Sequence, residues 1–369
     1  MAPPTRFSSL SWANVLPVVA LVVLAATWGR TLPPVLVVVV AVVLAGAVLA
    51  AVHHAEVVAH RVGEPFGSLL LAVAVTIIEV ALIVTLSISG GPETATLARD
   101  TVFAAAMITC NGIVGLSLFL GARRYGLVVF NAEGSGAALA TVTTVATLSL
   151  VLPTFTTSRP GPEFSGSQLA FAAVASLVVY AAFVMTQTVR HRDFFLPVAD
   201  GENADGQDPE DGHAAPPTTR AAITSVVLLL AALVAVVGLA KVESPAIEAG
   251  VAAVGFPPSF VGVVIALLVL LPETLAASRA ARRNRLQISL NLAFGSALAS
   301  IGLTIPVIAV ASIWLDGPQL LGLGATQMVL LALTVVVGAL TVVPGRSTRL
   351  HGVVHLVLLA AFLFLAANP

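Results

Sequence analysis

Long apolar runs separated by short polar interruptions organise this chain. Bounded by glycine, proline and charge, they fall at approximately 12–29, 32–52, 66–89, 100–121, 136–153, 168–189, 220–241, 257–278, 286–313, 319–343 and 349–367. About 20 apolar residues in a helix cross a ~30 Å hydrocarbon core. The pattern therefore predicts an all-α polytopic membrane protein of about eleven transmembrane helices. Period-two alternation is absent, which argues against a β-barrel. The weakest boundary is WGRTLPP (28–34). Pro33 and Pro34 break the helix there because neither can donate a backbone hydrogen bond. Composition agrees: 58% of residues are hydrophobic and 9% charged, with a mean hydropathy of +1.03. Soluble domains carry about 25% charged residues.

The net charge of −1 carries little information, but the placement of the charges carries a great deal. With eleven spans, one side receives the N-terminus and the loops after even-numbered helices. It holds Arg6, Arg61, Arg123, Arg124, Arg190, Arg192, Arg220, Arg279, Arg282, Arg283, Arg285, Arg346 and Arg349. The other side holds Arg30, Arg99, Arg159 and Lys241, and the two sets account for all 17 basic residues. The positive-inside rule then places the N-terminus in the cytoplasm and the C-terminus outside. The opening MAPPTRFSSLSWANVLP lacks the charged start and cleavage site of a signal peptide. Cys110, the single cysteine, has no partner for an intramolecular disulfide.

One long polar segment, FFLPVADGENADGQDPEDGHAAPPTTR (194–220), is acidic and rich in glycine and proline. It reads as a flexible cytoplasmic linker, and its spacing does not match an EF-hand loop, the alternative being a bound regulatory cation. The expected organisation is an extra N-terminal helix (1–31), a first five-helix repeat (32–189), the linker (190–219) and a second five-helix repeat (220–369). Five is odd, so the second repeat enters the membrane upside down, as in inverted-repeat transporters. Local sequence supports this. TIIE (76–79) in the first half matches LLPE (270–273) in the second. Each is followed by a helix rich in small and polar residues, TCNGIVGLSLFLG (109–121) and SLNLAFGSALASIGLTIP (289–306).

Of the 18 acidic residues, only Glu79 and Glu273 are expected to lie clearly inside spans. A charge at the bilayer centre costs roughly 2.5–3.5 kcal/mol on insertion scales, which disfavours two lipid-facing carboxylates. Brought together by inverted halves, they can neutralise a divalent cation with hard oxygen ligands. Without the ion, repulsion and desolvation raise their proton affinity. Cation and protons then compete for the same oxygens, which is the core of antiport. The competing reading is a protonated glutamate with a purely structural hydrogen bond. Thr76 lies one turn before Glu79, on the same face. Pro272 frees a backbone carbonyl beside Glu273. Asn111, Ser296 and Ser300 add neutral oxygens. Gly112, Gly115, Gly295 and Gly302 permit close helix approach.

GEPFGSLLLAVAVTIIEVALIV (63–84) and PETLAASRAARRNRLQISLNLAFGSALASIGLTIP (272–306) resemble the bacterial ChaA-type calcium/proton antiporters. Those belong to the cation/proton exchanger branch of the calcium:cation antiporter superfamily. The resemblance implies a bacterial plasma-membrane protein exchanging cytoplasmic cation for external protons, with Na+ or K+ as further substrates. It implies cation and proton binding at Glu79 and Glu273, a hydroxyl position at Thr76, and polar positions at Asn111 and Ser296. Leu270 stands where the family often carries a hydroxyl.

VHHAEVVAHRVGEPFG (52–67) places His53, Glu56 and His60 on one helical face. It is not HExxH, so a zinc-protease reading fails. Titration near pH 6.5 fits pH sensing or gating, and an interfacial role is the alternative. Glu64 precedes Pro65, where a helix dipole favours a carboxylate; it caps the helix or lines the cytoplasmic mouth. A cation channel and a sodium-coupled calcium exchanger are the competing functions. No filter loop, nucleophile–base motif or GxxxxGK[ST] motif is present, so an enzyme is not expected. The expected partners are membrane lipid and the transported cations and protons, with no cofactor and no nucleic acid.

Overall fold

In lipid, an apolar run must satisfy its backbone internally, and helix is the local way to do so. A computed structural model describes residues 11–62, 76–85, 95–198, 217–314 and 319–369. Its helices are α1 (Trp12–Thr27), α2 (Pro34–Val62), α3 (Thr76–Thr85), α4 (Leu97–Tyr125), α5 (Ala132–Thr154), α6 (Gly166–Arg190), α7 (Thr219–Ala253), α8 (Phe260–Val269), α9 (Leu271–Arg282), α10 (Leu286–Ala311), α11 (Ala325–Val342) and α12 (Arg349–Ala367). Among the described residues, eight are long and apolar enough to cross a membrane, or nine if the bent pair α8–α9 is one span. α1 and α3 are shorter apolar helices. The protein is thus a polytopic helical membrane protein.

The chain divides into two units, Met1–Thr85 with His213–Ala249, and Leu86–Gly212 with Gly250–Pro369. In the first, α1 packs on α2 and α7 through glycine notches. A Cβ on Gly46 would stand 3.1 Å from Leu16, and one on Gly238 2.5 Å from Leu24. The buried His54 ties the same three helices: its Nε2 donates to the Ala13 carbonyl at 2.9 Å. Its Nδ1 then accepts from the Ser225 hydroxyl at 3.3 Å, so both ring nitrogens are satisfied as a buried group requires.

In the second unit, α10 packs against α4, α5, α6 and α9. α4 and α10 are its most buried spans and α12 its least. α4 meets α12 by close approach. A Cβ on Gly115 would lie 2.9 Å from His355 Cβ, and one on Gly352 would lie 2.5 Å from the Phe119 nitrogen. A short ribbon, β1 (Leu127–Val129) and β2 (Arg346–Thr348), pairs antiparallel with Val128 opposite Ser347. Gly126 and Gly345 flank it at φ +79 and +65, a region open to glycine at little cost.

Two expectations need correction. The run at 257–278 is not one straight span: α8 and α9 meet at a 53° bend around Leu270. Pro272 causes it, because its ring clashes with the carbonyl four residues back and it has no N–H to offer. Glu79 and Glu273 are also not the only acids set into the apolar helices. Asp100, the first residue of the run at 100–121, and Glu243, two residues past the run at 220–241, are both buried, because α4 begins before the one run and α7 continues beyond the other.

Candidate functional site

On α3, Thr76 and Glu79 are 4% and 2% exposed, while Ile77 is 48% exposed. The hydroxyl and the carboxylate therefore share the inward face and the apolar side chain between them points out. That is the arrangement one turn of helix dictates for residues three apart. Glu79 belongs to the first unit.

Glu273, in the second unit, occupies the first turn of α9 directly after the bend, with Pro272 buried beside it. The sequence positions it by chemistry. Pro272 is tolerated at a helix start, where its missing N–H is not needed. The new N-terminus then presents the positive end of a helix dipole to the carboxylate. Thr274 spends its hydroxyl on the Leu270 carbonyl at 2.7 Å.

Asn111 lies in a π-helical turn, Ile108–Ile113, inside α4 and is fully buried. Such turns recur at functional sites. Its hydrogen bonds can be assigned in sequence. Thr334 donates its one hydroxyl hydrogen to the Leu330 carbonyl at 2.8 Å, so it accepts from Asn111 Nδ2 at 2.8 Å. That turns Asn111 Oδ1 to His355 Nδ1, which donates at 3.1 Å. With the proton on Nδ1, His355 Nε2 accepts from the Thr341 hydroxyl at 3.1 Å, and that hydroxyl also lies 2.8 Å from the Val337 carbonyl. Asn111, Thr334, His355 and Thr341 thus form one buried network across α4, α11 and α12. A carboxamide oxygen has a second lone pair, so Asn111 retains one acceptor site beyond His355.

On α10, Ser300 is buried and Ser296 half-buried. Gly112, Gly115 and Gly302 do sit at close approaches, to Leu359, His355 and Tyr180 respectively. Gly295 does not: a Cβ there would meet nothing within 4 Å. Nearby polar groups have structural partners instead. Ser289 donates to the Ala277 carbonyl at 2.7 Å, and Asn291 to the Phe195 carbonyl at 2.6 Å.

The histidine stretch on α2 separates. His53 is half-buried with its ring 5.8 Å from Trp12, whereas Glu56 and His60 are exposed. Glu64 lies outside the described residues. Among the described residues, no three His, Cys, Asp or Glu side chains gather as a metal-holding group.

Sequence reasoning missed His355, His54, Glu243 and Asp100. Each was visible as an ionisable residue in or beside an apolar run, the pattern that marks function by default. Asp100 Oδ1 accepts from Arg99 at 2.8 Å and from Gln327 at 3.4 Å, and Arg99 also reaches the Gly322 carbonyl at 3.3 Å. This pair fastens the start of α4 to the chain entering α11.

The profile of the sodium/calcium exchanger protein family matches residues 32–189 and 224–368. The y4hA protein of Sinorhizobium fredii is 46% identical, covering 97% of this chain and 96% of its own. The sodium-potassium/proton antiporter ChaA of Escherichia coli is 35% identical, covering 95% of this chain and 94% of its own. Among solved structures, native YfkE superimposes with a TM-score of 0.71 at 17% identity over 97% of this chain and 99% of that one. The H+/Ca2+ exchanger CAX gives 0.69 at 16% identity over 96% and 91%.

Proposed function

The chain belongs to the sodium/calcium exchanger protein family, and from that membership we propose that it is a cation/proton antiporter working by alternating access. It exports cytoplasmic Ca2+, with Na+ and K+ as further cations, in exchange for protons. Glu79 and Glu273 carry the exchange. The observation that carries this reading is Glu79 itself, a carboxylate 2% exposed on an apolar helix, sharing its inward face with the Thr76 hydroxyl. The second observation is Glu273 at a proline-broken helix start in the other half of the sequence. Broken helices at midplane are how transporters present charge and free carbonyls to an ion.

The two carboxylates act as a pair contributed by inverted repeats 32–189 and 220–369, in a plasma membrane with the N-terminus inside. Loaded with a cation, the pair is charge-compensated; loaded with protons, it is neutral. Empty, it leaves the buried Glu79 and half-buried Glu273 carboxylates uncompensated and crosses at high cost. That difference enforces exchange. Thr76, Ser296, Ser300 and the second lone pair of Asn111 complete the oxygen set. The ranking of cations rests on relatives whose names point two ways: ChaA is a sodium-potassium/proton antiporter, and CAX exchanges H+ for Ca2+.

The test is cation-dependent proton movement in proteoliposomes of purified protein with the membrane potential clamped. Addition of Ca2+ should release protons from acid-loaded vesicles, with Na+ and K+ assayed in parallel. Cation flux that proceeds down its gradient with no proton counterflow would assign the chain to channels.

A further inference from the structure

Arginines from three separate parts of the chain gather at one end of the second unit. Arg123 and Arg124 lie in the last turn of α4, Arg282 ends α9 and Arg283 follows it, and Arg346 and Arg349 lie on β2 and at the start of α12. Backbone and side-chain contacts bring these places together. β1 follows α4 directly and pairs with β2, setting Val129 opposite Arg346 and Leu127 opposite Thr348. Tyr125 donates its hydroxyl to the Arg282 carbonyl at 3.0 Å. All six arginines are exposed. None of them takes part in an ion pair among the described residues.

Apolar side chains are interleaved with this charge. Leu127, Val129, Val343 and Leu350 are 48%, 44%, 76% and 68% exposed. The ribbon's pleat explains the first two: Val128 and Ser347 face inward, which turns Leu127, Val129 and Arg346 outward. The patch also sits at the ends of α4 and α12, both span-length helices, where a membrane's headgroups begin.

Six arginines with no ion pair among the described residues favour an external anion. A hydrophilic acidic peptide would answer the guanidinium groups and leave the four apolar side chains in water. A phospholipid answers both. Its phosphate accepts paired N–H groups from arginine, and the region below it takes the apolar side chains. We propose that this arginine-and-apolar patch is a binding site for the phosphate headgroup of anionic phospholipid. This inference is independent of the transport reading.

Native mass spectrometry of the full chain tests it, after exposure to equimolar phosphatidylglycerol and phosphatidylcholine. Wild type should retain phosphatidylglycerol in clear excess over the supplied ratio. A basic residue near an anionic surface contributes enough that each Arg→Gln change should weaken retention about fivefold. The combined variant Arg123→Gln, Arg282→Gln, Arg346→Gln should fall to the supplied ratio. Arg30→Gln, on the first unit, should retain the wild-type excess. Should the combined variant not purify as a folded protein, the three single changes carry the same test. No excess in wild type would overturn the proposal, as would an excess unchanged in the variants or lost equally in Arg30→Gln. An excess that appears only after deletion of residues 200–211 would also overturn it, assigning the arginines to the chain's own acidic segment.

Discussion

A carboxylate inside an apolar helix is either protonated or matched by positive charge. Glu79 can change between those states only if its matching charge can leave, and an exchanged cation does leave. Glu79→Gln keeps the shape and one oxygen but removes both the negative charge and the exchangeable proton. Coupled exchange should fall to background while folding, read by thermal melting, stays near wild type. Glu79→Asp should be impaired, because withdrawing the carboxylate by one methylene misplaces a hard-ion ligand. Competition also fixes the sign of the pH dependence. Below the carboxylates' proton affinity, apparent cation affinity should drop about tenfold per pH unit for each proton displaced. A cation affinity independent of external and internal pH would contradict the competition. Away from the glutamates, His355 holds Asn111 by a single Nδ1–H bond. His355→Leu leaves that buried oxygen one donor short and should cost about 1–3 kcal/mol. His355→Asn, which can offer an N–H near the same place, should recover part of it in the same melting assay. The glutamates were legible in the sequence because a charge in an apolar run is conspicuous. His355 and His54 were not singled out, since their partners Asn111, Ala13 and Ser225 come from helices far away in sequence.

Among elements, the break between α8 and α9 is what gives Glu273 a helix start of its own. Pro272 was readable as a freed carbonyl, but not as a 53° bend, because an apolar run continues through it and hydropathy does not see direction. Pro272→Ala restores the N–H and relieves the ring clash, so α8 and α9 should straighten toward one span. Transport should drop severalfold while melting temperature holds or rises, because regular helix is regained where the site needs it interrupted. Full transport in a well-expressed Pro272→Ala protein would show that the bend serves packing alone. The contact between α4 and α12 is the opposite case, one in which packing is the purpose. Gly115→Val has no room beside His355 and the backbone of Leu356, at 2.9 and 3.0 Å from the added Cβ. It should destabilise by about 1–3 kcal/mol through overpacking. Small residues were legible as packing sites in general. Gly295 shows where that reading fails, because which glycine meets a neighbour depends on helix rotation, not on composition.

For the whole molecule, the sequence carried the polytopic helical class through its apolar runs and the internal resemblance through TIIE and LLPE. The ribbon joining β1 to β2 was not legible, since three-residue strands leave no periodicity. Nor was the extension of α7 to Ala253, because Lys241 and Glu243 look like a loop until the helix is seen to continue through Pro245. The proposed inverted arrangement makes a topological prediction: single cysteines placed near the C-terminus should react with membrane-impermeant reagent from outside, and those in 200–211 from inside. Trimming 200–216 should spare transport and at most alter its regulation. The most direct measurement of the central claim is cation-dependent proton flux in potential-clamped proteoliposomes, compared at matched protein content for wild type, Glu79→Gln and Glu273→Gln. Wild type should couple Ca2+ addition to proton release and both variants should show only the leak of empty vesicles. Wild-type flux in either variant would remove that glutamate from the exchange and leave it a structural residue.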